Sequence, residues 1–434
     1  MESKFMQTAG KFYFMVIAVL MYYFLTEVIN VGLFVTYRHV FALVLAVSTF
    51  FAFLVKPNIA RGVVAVKGAF VYALPMLVTF FASLFVWFVN RVEVDIMLRG
   101  LSSVFMYTNM LSFTLAAVAF LYVFGEKGIW YNLIAILISN ILMIITIIAQ
   151  EGIVGFFTEF VTLIVTFAEN TGDIIVKAEI HELAFCLGAY LIYMLLKPKK
   201  DIVFMILLAL TSFCFLAAFK RIGVMAVAAT VVVGWFLRFV AKYKKDTAMR
   251  LTVILTVLLV VFLIGYVWAI KLDIFSLIEE MGINTSGRVQ VYSAVDKFYE
   301  FTPSFLGNGI GFLTYQLTTN MNVGVASVHN DFLQHFIDLG FWGYLLWLSS
   351  MILVRVCSYG KKGKVDNAIL TFSLSLYLAI ASSTDNTMNF PLLTTVLAII
   401  MIGHGFDREV METEEKMFGY VSKVNKAAEG DTIL

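Results

Sequence analysis

The chain has 434 residues, of which 61% are hydrophobic and only 14% are charged, and its formal net charge is +2. Soluble domains usually contain about 25% charged residues and less than half apolar ones. The composition therefore excludes a soluble protein and predicts an all-α, polytopic integral membrane protein, for which we expect no nucleic-acid partner.

Apolar runs of about 17 to 25 residues, long enough to cross a bilayer, recur from the start of the chain to roughly residue 405. The first run, Phe12 to Thr26, follows Lys4 and Lys11 and lacks the small-residue cleavage site of a signal peptide, so we expect a membrane helix there. We predict about 12 transmembrane helices in total. Their centres lie near residues 20, 47, 79, 112, 139, 189, 210, 231, 260, 348, 377 and 397.

An even number of spans places both termini on the same side of the membrane. If that side is the cytoplasm, roughly 22 of the 31 Lys and Arg residues fall inside and roughly 9 outside, as the positive-inside rule requires. We interpret the inside charges, Arg355 and Lys361 among them, as topology anchors. The prediction is a membrane domain over residues 1–406 with both termini cytoplasmic, followed by a cytoplasmic tail, 407–434, whose alternating charges show no motif.

Two outer segments are too long to be simple turns. The first, Gln150 to Ile180, contains the apolar stretch Gly152 to Ala168, which suits a helix lying in the interface. A thirteenth span there would reverse the sidedness of the basic loops that follow, so we reject it. The second, residues 271–332 between spans 9 and 10, is the largest polar region, and we expect any chemistry to occur in this extracytoplasmic loop.

The middles of the predicted spans carry almost no ionisable residues. Proton-coupled or ion-coupled transporters place such residues near the midplane, so this pattern disfavours a carrier. Lys220 and Arg221 are different, because they sit between two apolar spans and emerge at the outer surface, where basic residues are disfavoured. They either bind an anionic substrate or simply contact lipid.

Several motifs fall in or near the large outer loop. Gly307, Gly309 and Gly311 alternate, which suits either close approach of backbone amides to an anion or a tight turn. Further along, Asn330 and Asp331 are good N-cap residues, so His329 should project from just before a helix that runs into the membrane.

These motifs resemble the signature of the O-antigen ligase and polymerase (Wzy-like) superfamily of bacterial polysaccharide polymerases. The resemblance rests on the following residues: Ser286-Gly-Arg288, Pro303, the glycines from Gly307 to Gly311, His329-Asn330, Phe332-Leu333, Gly340 and Gly343. Lys220-Arg221-Ile-Gly and Glu182-Leu-Ala are similar to two further family motifs. Lys220 stands where the family commonly has Ser, and Glu182 where it commonly has Asn.

The resemblance implies an enzyme of the bacterial cytoplasmic (inner) membrane that transfers a glycan from a polyprenyl (undecaprenyl) pyrophosphate donor to an acceptor sugar hydroxyl at the outer face. Arg221 and Arg288 would then stabilise the departing pyrophosphate, with Lys220 as a third cation. His329 would orient or deprotonate the acceptor, since imidazole accepts a proton readily near neutral pH.

Further candidate substrate-binding residues are Asp385, Glu179, His181 and Asn330. Asp385 could orient His329 or the sugar, or could merely cap a loop. We expect the acceptor to attack opposite the pyrophosphate, which would invert the anomeric centre in one step. We expect no metal and no cofactor, because no clustered metal ligands are evident. Expected partners are membrane lipid and the lipid-linked oligosaccharide, together with flippase and chain-length regulator proteins.

Three other functions stay open at this point. A ligase of the same superfamily would move finished glycan to a lipid core or a protein, and the motifs do not separate it from a polymerase. A flippase or exporter of lipid-linked oligosaccharide would have no need of His329. A peptidoglycan polymerase also uses a polyprenyl pyrophosphate donor, but its acidic outer-loop signature is not evident.

Overall fold

The computed structural model of the chain describes residues 2–23, 34–55, 57–166, 181–199, 201–218, 220–282, 285, 287–321, 327–360 and 365–417. Its helices, in chain order, are α1 (Glu2–Tyr22), α2 (Phe34–Val55), α3 (Ile59–Asn90), α4 (Val94–Phe124), α5 (Gly128–Glu151), α6 (Ile153–Thr166), α7 (His181–Leu196), α8 (Ile202–Ala217), α9 (Arg221–Tyr243), α10 (Lys245–Lys271), α11 (Ile274–Glu280), α12 (Arg288–Val295), α13 (Phe312–Tyr315), α14 (Asp331–Tyr359), α15 (Val365–Ser382), α16 (Pro391–Gly403) and α17 (406–417).

The described residues form helices and no β-strand. Within the described residues, six helical segments are long and apolar enough to cross a membrane, and six shorter apolar helices accompany them. Each predicted span centre falls within a helix. The all-helical prediction is therefore confirmed for the described residues, and the long apolar helices are those of a membrane-embedded protein.

Buried polar side chains tie the helices together, because a membrane interior supplies no water to satisfy them. Asn132 of α5 accepts a hydrogen bond from the Tyr190 hydroxyl at 2.7 Å and donates one to the Tyr22 hydroxyl at 2.8 Å, which joins α1, α5 and α7. The Tyr377 hydroxyl of α15 donates to the Phe185 carbonyl of α7 at 3.0 Å. These bonds hold α7 and α15 side by side.

The direction of the chain distinguishes two ends of the bundle. We call the end where α9 begins and α15 ends the upper end, and the end where α9 ends and α15 begins the lower end. Helix α9 has 23 residues, which corresponds to a length of about 35 Å. Groups at the two ends are therefore separated by roughly the thickness of a membrane.

Helix α14 folds back on itself at Gly340. In a straight helix Phe332 and Trp347 would stand about 22 Å apart, yet their ring centroids are only 6.1 Å apart. The rings of Phe336 and Tyr344 are likewise 5.5 Å apart. The backbone of Gly340 leaves the helical region at φ 70° and ψ −177°. Residues 331–339 thus form a short arm against the rest of α14. A helix that is apolar and long enough to cross a membrane does follow His329, as expected, but it is broken at Gly340.

The glycine-rich segment, Gly307 to Gly311, packs against this fold in α14. Gly309 N–H donates to the Asp338 carbonyl at 2.7 Å, and Asn308 N–H donates to the Ile337 carbonyl at 3.0 Å. Ile310 N–H donates to Ser83 Oγ of α3 at 3.2 Å. These three amides donate to the protein itself and so are not available to an anion. Of the two interpretations of the glycines, the structure therefore supports the tight turn.

Gly307 and Gly340 lie back to back at this crossing. Their φ angles are +90° and +70°, in the left-handed region that favours glycine. A Cβ on Gly307 would stand 2.6 Å from the Asp338 carbonyl oxygen, and a Cβ on Gly340 would overlap the Leu306 backbone. Both positions therefore require glycine, because a Cβ would clash with the backbone opposite and because the φ angle is unfavourable for other residues.

Helix α6 lies within the stretch Gly152–Ala168, for which we predicted an interfacial helix. Residues 167–180 lie outside the described part.

The structure also changes the interpretation of Arg355. Arg355, which we interpreted as a loop anchor, instead belongs to α14 and is only 4% exposed. Its guanidinium donates to the Tyr72 carbonyl and lies 4.0 Å from the centre of the Tyr72 ring. It anchors α14 to α3 through these contacts.

Replacing Gly340 by alanine tests the fold in α14. We expect Gly340→Ala to lower the free energy of unfolding by at least about 2 kcal/mol, because the new methyl group meets backbone and the φ angle is unfavourable. Thermal unfolding of the detergent-purified protein measures the effect. The matched control is Gly265→Ala in α10, where a Cβ meets no atom within 4 Å, so its stability should be unchanged or slightly higher. Equal melting temperatures for the two variants would contradict this account of the crossing.

Candidate functional site at the upper end of the bundle

Three separate segments bring charged side chains together at the upper end. Asp385, in the loop between α15 and α16, is the central group. Its Oδ2 lies 3.1 Å from Lys220 Nζ at the start of α9, and its Oδ1 faces His329 Nδ1 at 3.9 Å. We call Lys220, Arg288, His329 and Asp385 the polar cluster.

Arg288 reaches the same loop from the large outer segment. As the first residue of α12, it donates from Nη2 to the Thr384 carbonyl at 2.9 Å and from Nη1 to the Thr285 carbonyl at 3.2 Å. Thr384 directly precedes Asp385. Arg288 therefore binds the backbone next to Asp385, whereas Lys220 pairs with the Asp385 carboxylate itself.

Asp385 is held as a carboxylate by its neighbours. Its side chain is 14% exposed, and burial alone would raise the pKa of this carboxyl. Its interactions with His329 and Lys220, and the N–H of Asn386, outweigh burial and lower the pKa well below the usual range. Asn386 N–H donates to Oδ1 at 2.9 Å. Asp385 is thus negatively charged at neutral pH and can fix the positions of both partners.

His329 is held in an unusual backbone conformation. Its φ is +50°, which is uncommon for a residue other than glycine. Its N–H donates to Ser327 Oγ at 3.3 Å, and Ser327 Oγ also accepts from the Asn386 side chain. The side chain is 54% exposed. Strained residues of this kind cluster at functional sites, where the surrounding contacts hold them in place.

Asn330 serves the protein rather than a substrate. It is fully buried and is the N-cap of α14, since its Oδ1 accepts from Leu333 N–H at 3.1 Å. Its Nδ2 donates to the hydroxyls of Tyr266 and Tyr292, both at 3.0 Å. With both ends of the amide engaged, Asn330 positions the segment that carries His329, and its predicted contact with a substrate stays a prediction.

Two buried acidic side chains that sequence reasoning did not place in the site, Asp331 and Glu182, support it through bonds to the backbone. Asp331 Oδ2 accepts from Met388 N–H at 2.9 Å, which ties the arm of α14 to the loop after α15. Glu182 Oε1 accepts from Leu392 N–H at 2.7 Å, at the start of α16. A carboxylate is favourable at a helix N-terminus. An acidic residue next to an apolar run is the signal that could have identified them.

Some polar atoms in this site are buried yet have no partner within the described protein. They are Arg288 Nε, Asp331 Oδ1, Thr384 Oγ1 and Asn386 Oδ1. Most buried polar atoms in proteins are hydrogen-bonded. Arg288 Nε and the Thr384 hydroxyl can donate to an anionic group, whereas the Asp331 and Asn386 oxygens can accept, so the set fits a polar ligand with both acceptor and donor groups.

The remaining candidate residues are placed as follows. Arg221 is half-buried and begins α9 next to Lys220. His181 is the first residue of α7, but its side chain and all of Glu179 lie outside the described residues. No group of three or more His, Cys, Asp or Glu residues that could hold a metal ion occurs in the described ranges.

Tyr266 also binds the loop that carries Asp385. Its hydroxyl, on α10, donates to the Ser383 carbonyl at 2.7 Å. Helix α10 therefore helps to hold this loop at the upper end of the bundle.

The chain matches no protein-family model, and no curated protein is significantly similar to it.

Replacing Asp385 by asparagine tests the centre of the cluster. We expect Asp385→Asn to lower stability by about 1–3 kcal/mol, because Lys220 loses its partner in a largely buried place. A carboxylate with a lowered pKa stabilises the fold above the unfolded-state value of about 4 and loses this effect as the pH falls through its folded pKa. The difference in melting temperature from wild type should therefore be constant between pH 5 and 8 and shrink in stronger acid.

The matched control is Glu412→Gln at the lower end. Glu412 lies 4.0 Å from Arg408, and the two side chains are 37% and 55% exposed, so its removal should change stability by less than about 1 kcal/mol. If Asp385→Asn behaves like this control at every pH, Asp385 does not organise the cluster.

Proposed function

We propose that this chain is a polysaccharide repeat-unit polymerase of the bacterial inner membrane. It would transfer a glycan from polyprenyl (undecaprenyl) pyrophosphate to an acceptor sugar hydroxyl at the outer face. The observation that carries the proposal is the gathering of Lys220, Arg288 and His329 around the Asp385 loop. With about 12 spans and cytoplasmic termini, the distribution of basic residues assigns the upper end to the outer face.

The cations provide the electrostatic part of the proposed reaction. Negative charge develops on the pyrophosphate as its bond to the sugar breaks, and fixed cations stabilise such charge in the transition state. Arg288 has Nε free of protein partners among the described residues, and a guanidinium can bind two phosphate oxygens at once. Lys220 and Arg221 would supply the remaining positive charge.

His329 would provide the base. With Nδ1 facing Asp385, Nε2 is the ring nitrogen left to accept a proton, and the ionised Asp385 stabilises the imidazolium that results. The acceptor oxygen forms a bond to the anomeric carbon while the bond from that carbon to the pyrophosphate oxygen breaks. The electron pair leaves with polyprenyl pyrophosphate, and the hydroxyl proton moves to His329. One such displacement inverts the anomeric centre.

The surroundings of the cluster suit a lipid-linked donor. A site at the upper end of the bundle, close to the membrane surface, can receive a pyrophosphate whose polyprenyl chain stays in the bilayer. An apolar groove of about 650 Å³ runs between α3 and α14 beneath the turn at Gly340, with Phe81, Phe85, Trp342 and Leu346 among its walls. We assign this groove to the polyprenyl chain.

A polymerization assay with purified protein tests the proposal. The detergent-purified protein receives a polyprenyl pyrophosphate-linked repeat unit, and a gel resolves the products. We expect wild type to produce a ladder, and Arg288→Ala and His329→Ala to lower the rate at least about 100-fold, the usual effect of removing a charge-stabilising or proton-accepting group. Arg288→Lys should recover only part of the rate, because a lysine cannot bind two oxygens in one plane.

The control is Lys297→Ala, which removes an exposed cation from the same outer segment and should leave the rate unchanged. Normal elution from a sizing column shows that each variant is folded. Transfer of preformed glycan to a lipid core without a ladder would identify a ligase, and transport without bond formation would identify a flippase. Full activity in both alanine variants would refute the assignment of the site.

A further inference from the structure

The lower end of the bundle contains a second polar site, which the proposed transferase reaction does not use. A cavity of about 700 Å³ opens there between the turn before α5, the end of α7, the end of α9, the starts of α10 and α15, and the segment that follows α16. Its size falls in the range of small-molecule sites, roughly 300–1,000 Å³. Its charged lining residues are Glu126, Lys197, Arg238, Lys242, Lys245, Asp366 and Arg408. We call this cavity the basic pocket.

The two carboxylates of the basic pocket already have partners. Asp366 pairs with Lys197 at 3.4 Å, and Glu126 Oε1 lies 3.6 Å from His404 Nδ1. Arg408 lies 4.0 Å from Glu412, one turn further along α17. Arg238, Lys242 and Lys245 have no carboxylate within ion-pair distance among the described residues. The pocket therefore carries excess positive charge that its own acids do not neutralise.

The positive charges of the basic pocket lie on helix ends that face the same cavity. Arg238 and Lys242 are four residues apart on α9, so they share one face of the helix. Lys197, at the end of α7, is only 17% exposed. Burial lowers the pKa of Lys197 and the like charge of Arg238 adds to this, although Asp366 acts in the opposite direction. A bound anion would relieve the repulsion between Lys197 and Arg238.

General membrane topology does not explain this arrangement. The exposed Lys244 and Arg250 at the same end do not line the basic pocket, and helix anchoring is enough to explain them. Lys242 and Lys245 are also exposed, but together with the half-buried Lys197 and Arg238 they surround one cavity and come from different helices. This cavity lies at the opposite end of α9 from Lys220, about 35 Å away, so it is separate from the polar cluster.

We propose that the basic pocket binds a phosphate-bearing anion on the membrane face opposite the polar cluster. An arginine fork beside several lysines is the chemistry that recognises phosphate. The phosphate comes either from the headgroup of an anionic lipid in the adjoining leaflet or from a soluble compound, and both would use the same contacts. The proposal does not depend on the glycosyl transfer at the upper end.

Binding to purified protein distinguishes the two sources. Thermal unfolding is followed in neutral detergent as inorganic phosphate is titrated at constant ionic strength, and separately as phosphatidylglycerol or phosphatidylcholine is added to the micelles. The pocket variant is Arg238→Gln with Lys242→Gln. The matched control is Lys244→Gln with Arg250→Gln, which removes the same charge from exposed positions at the same end. Arg288→Gln reports any binding at the polar cluster.

We expect a saturable rise in melting temperature in wild type, in the matched control and in Arg288→Gln. The pocket variant should bind at least about tenfold more weakly, since it lacks two charge-assisted contacts. A rise with phosphatidylglycerol alone identifies a lipid headgroup, and a rise with phosphate identifies a soluble ligand. No saturable rise with either probe, or equal weakening in the pocket variant and the matched control, overturns the proposal. Loss of binding only in Arg288→Gln would instead assign the phosphate to the polar cluster.

Discussion

The contact between Gly307 and Gly340 is the constraint on which the upper end of the bundle depends. Only glycine allows the two backbones to approach and to adopt their left-handed angles. This contact fixes the fold in α14 and thereby the arm 331–339. Because the arm starts at Asn330, it also sets where His329 stands relative to Asp385. A packing requirement some ten residues away thus determines the geometry of the candidate site.

Burial separates the polar residues of the upper end into two groups. Asn330, Asp331 and Glu182 are buried and bind backbone or side chains of the protein, so they build the site. Lys220 and His329 are more exposed and face Asp385, and the half-buried Arg288 binds the same loop, so these three are the groups that a substrate could meet. A buried polar side chain without a hydrogen bond destabilises the fold, so the buried residues bind other parts of the protein.

The two ends of the bundle differ in how their charges are balanced. At the upper end a single carboxylate with a lowered pKa, Asp385, organises the surrounding basic groups. At the lower end several cations around the basic pocket outnumber carboxylates that are already paired. The upper arrangement orients side chains for a reaction, whereas the lower one creates an electrostatic preference for an anion.

The sequence by itself determined the helical membrane class and the approximate positions of the apolar helices, because the length and composition of an apolar run are local properties. It also identified Lys220, Arg288 and His329 as polar residues in positions that require an explanation. Only the tertiary structure decided that Asp385 lies between Lys220 and His329, that Asn330 is used internally and that Arg355 is buried against Tyr72. These contacts join segments far apart in the chain, and no local pattern of residues specifies which distant partner a polar side chain meets.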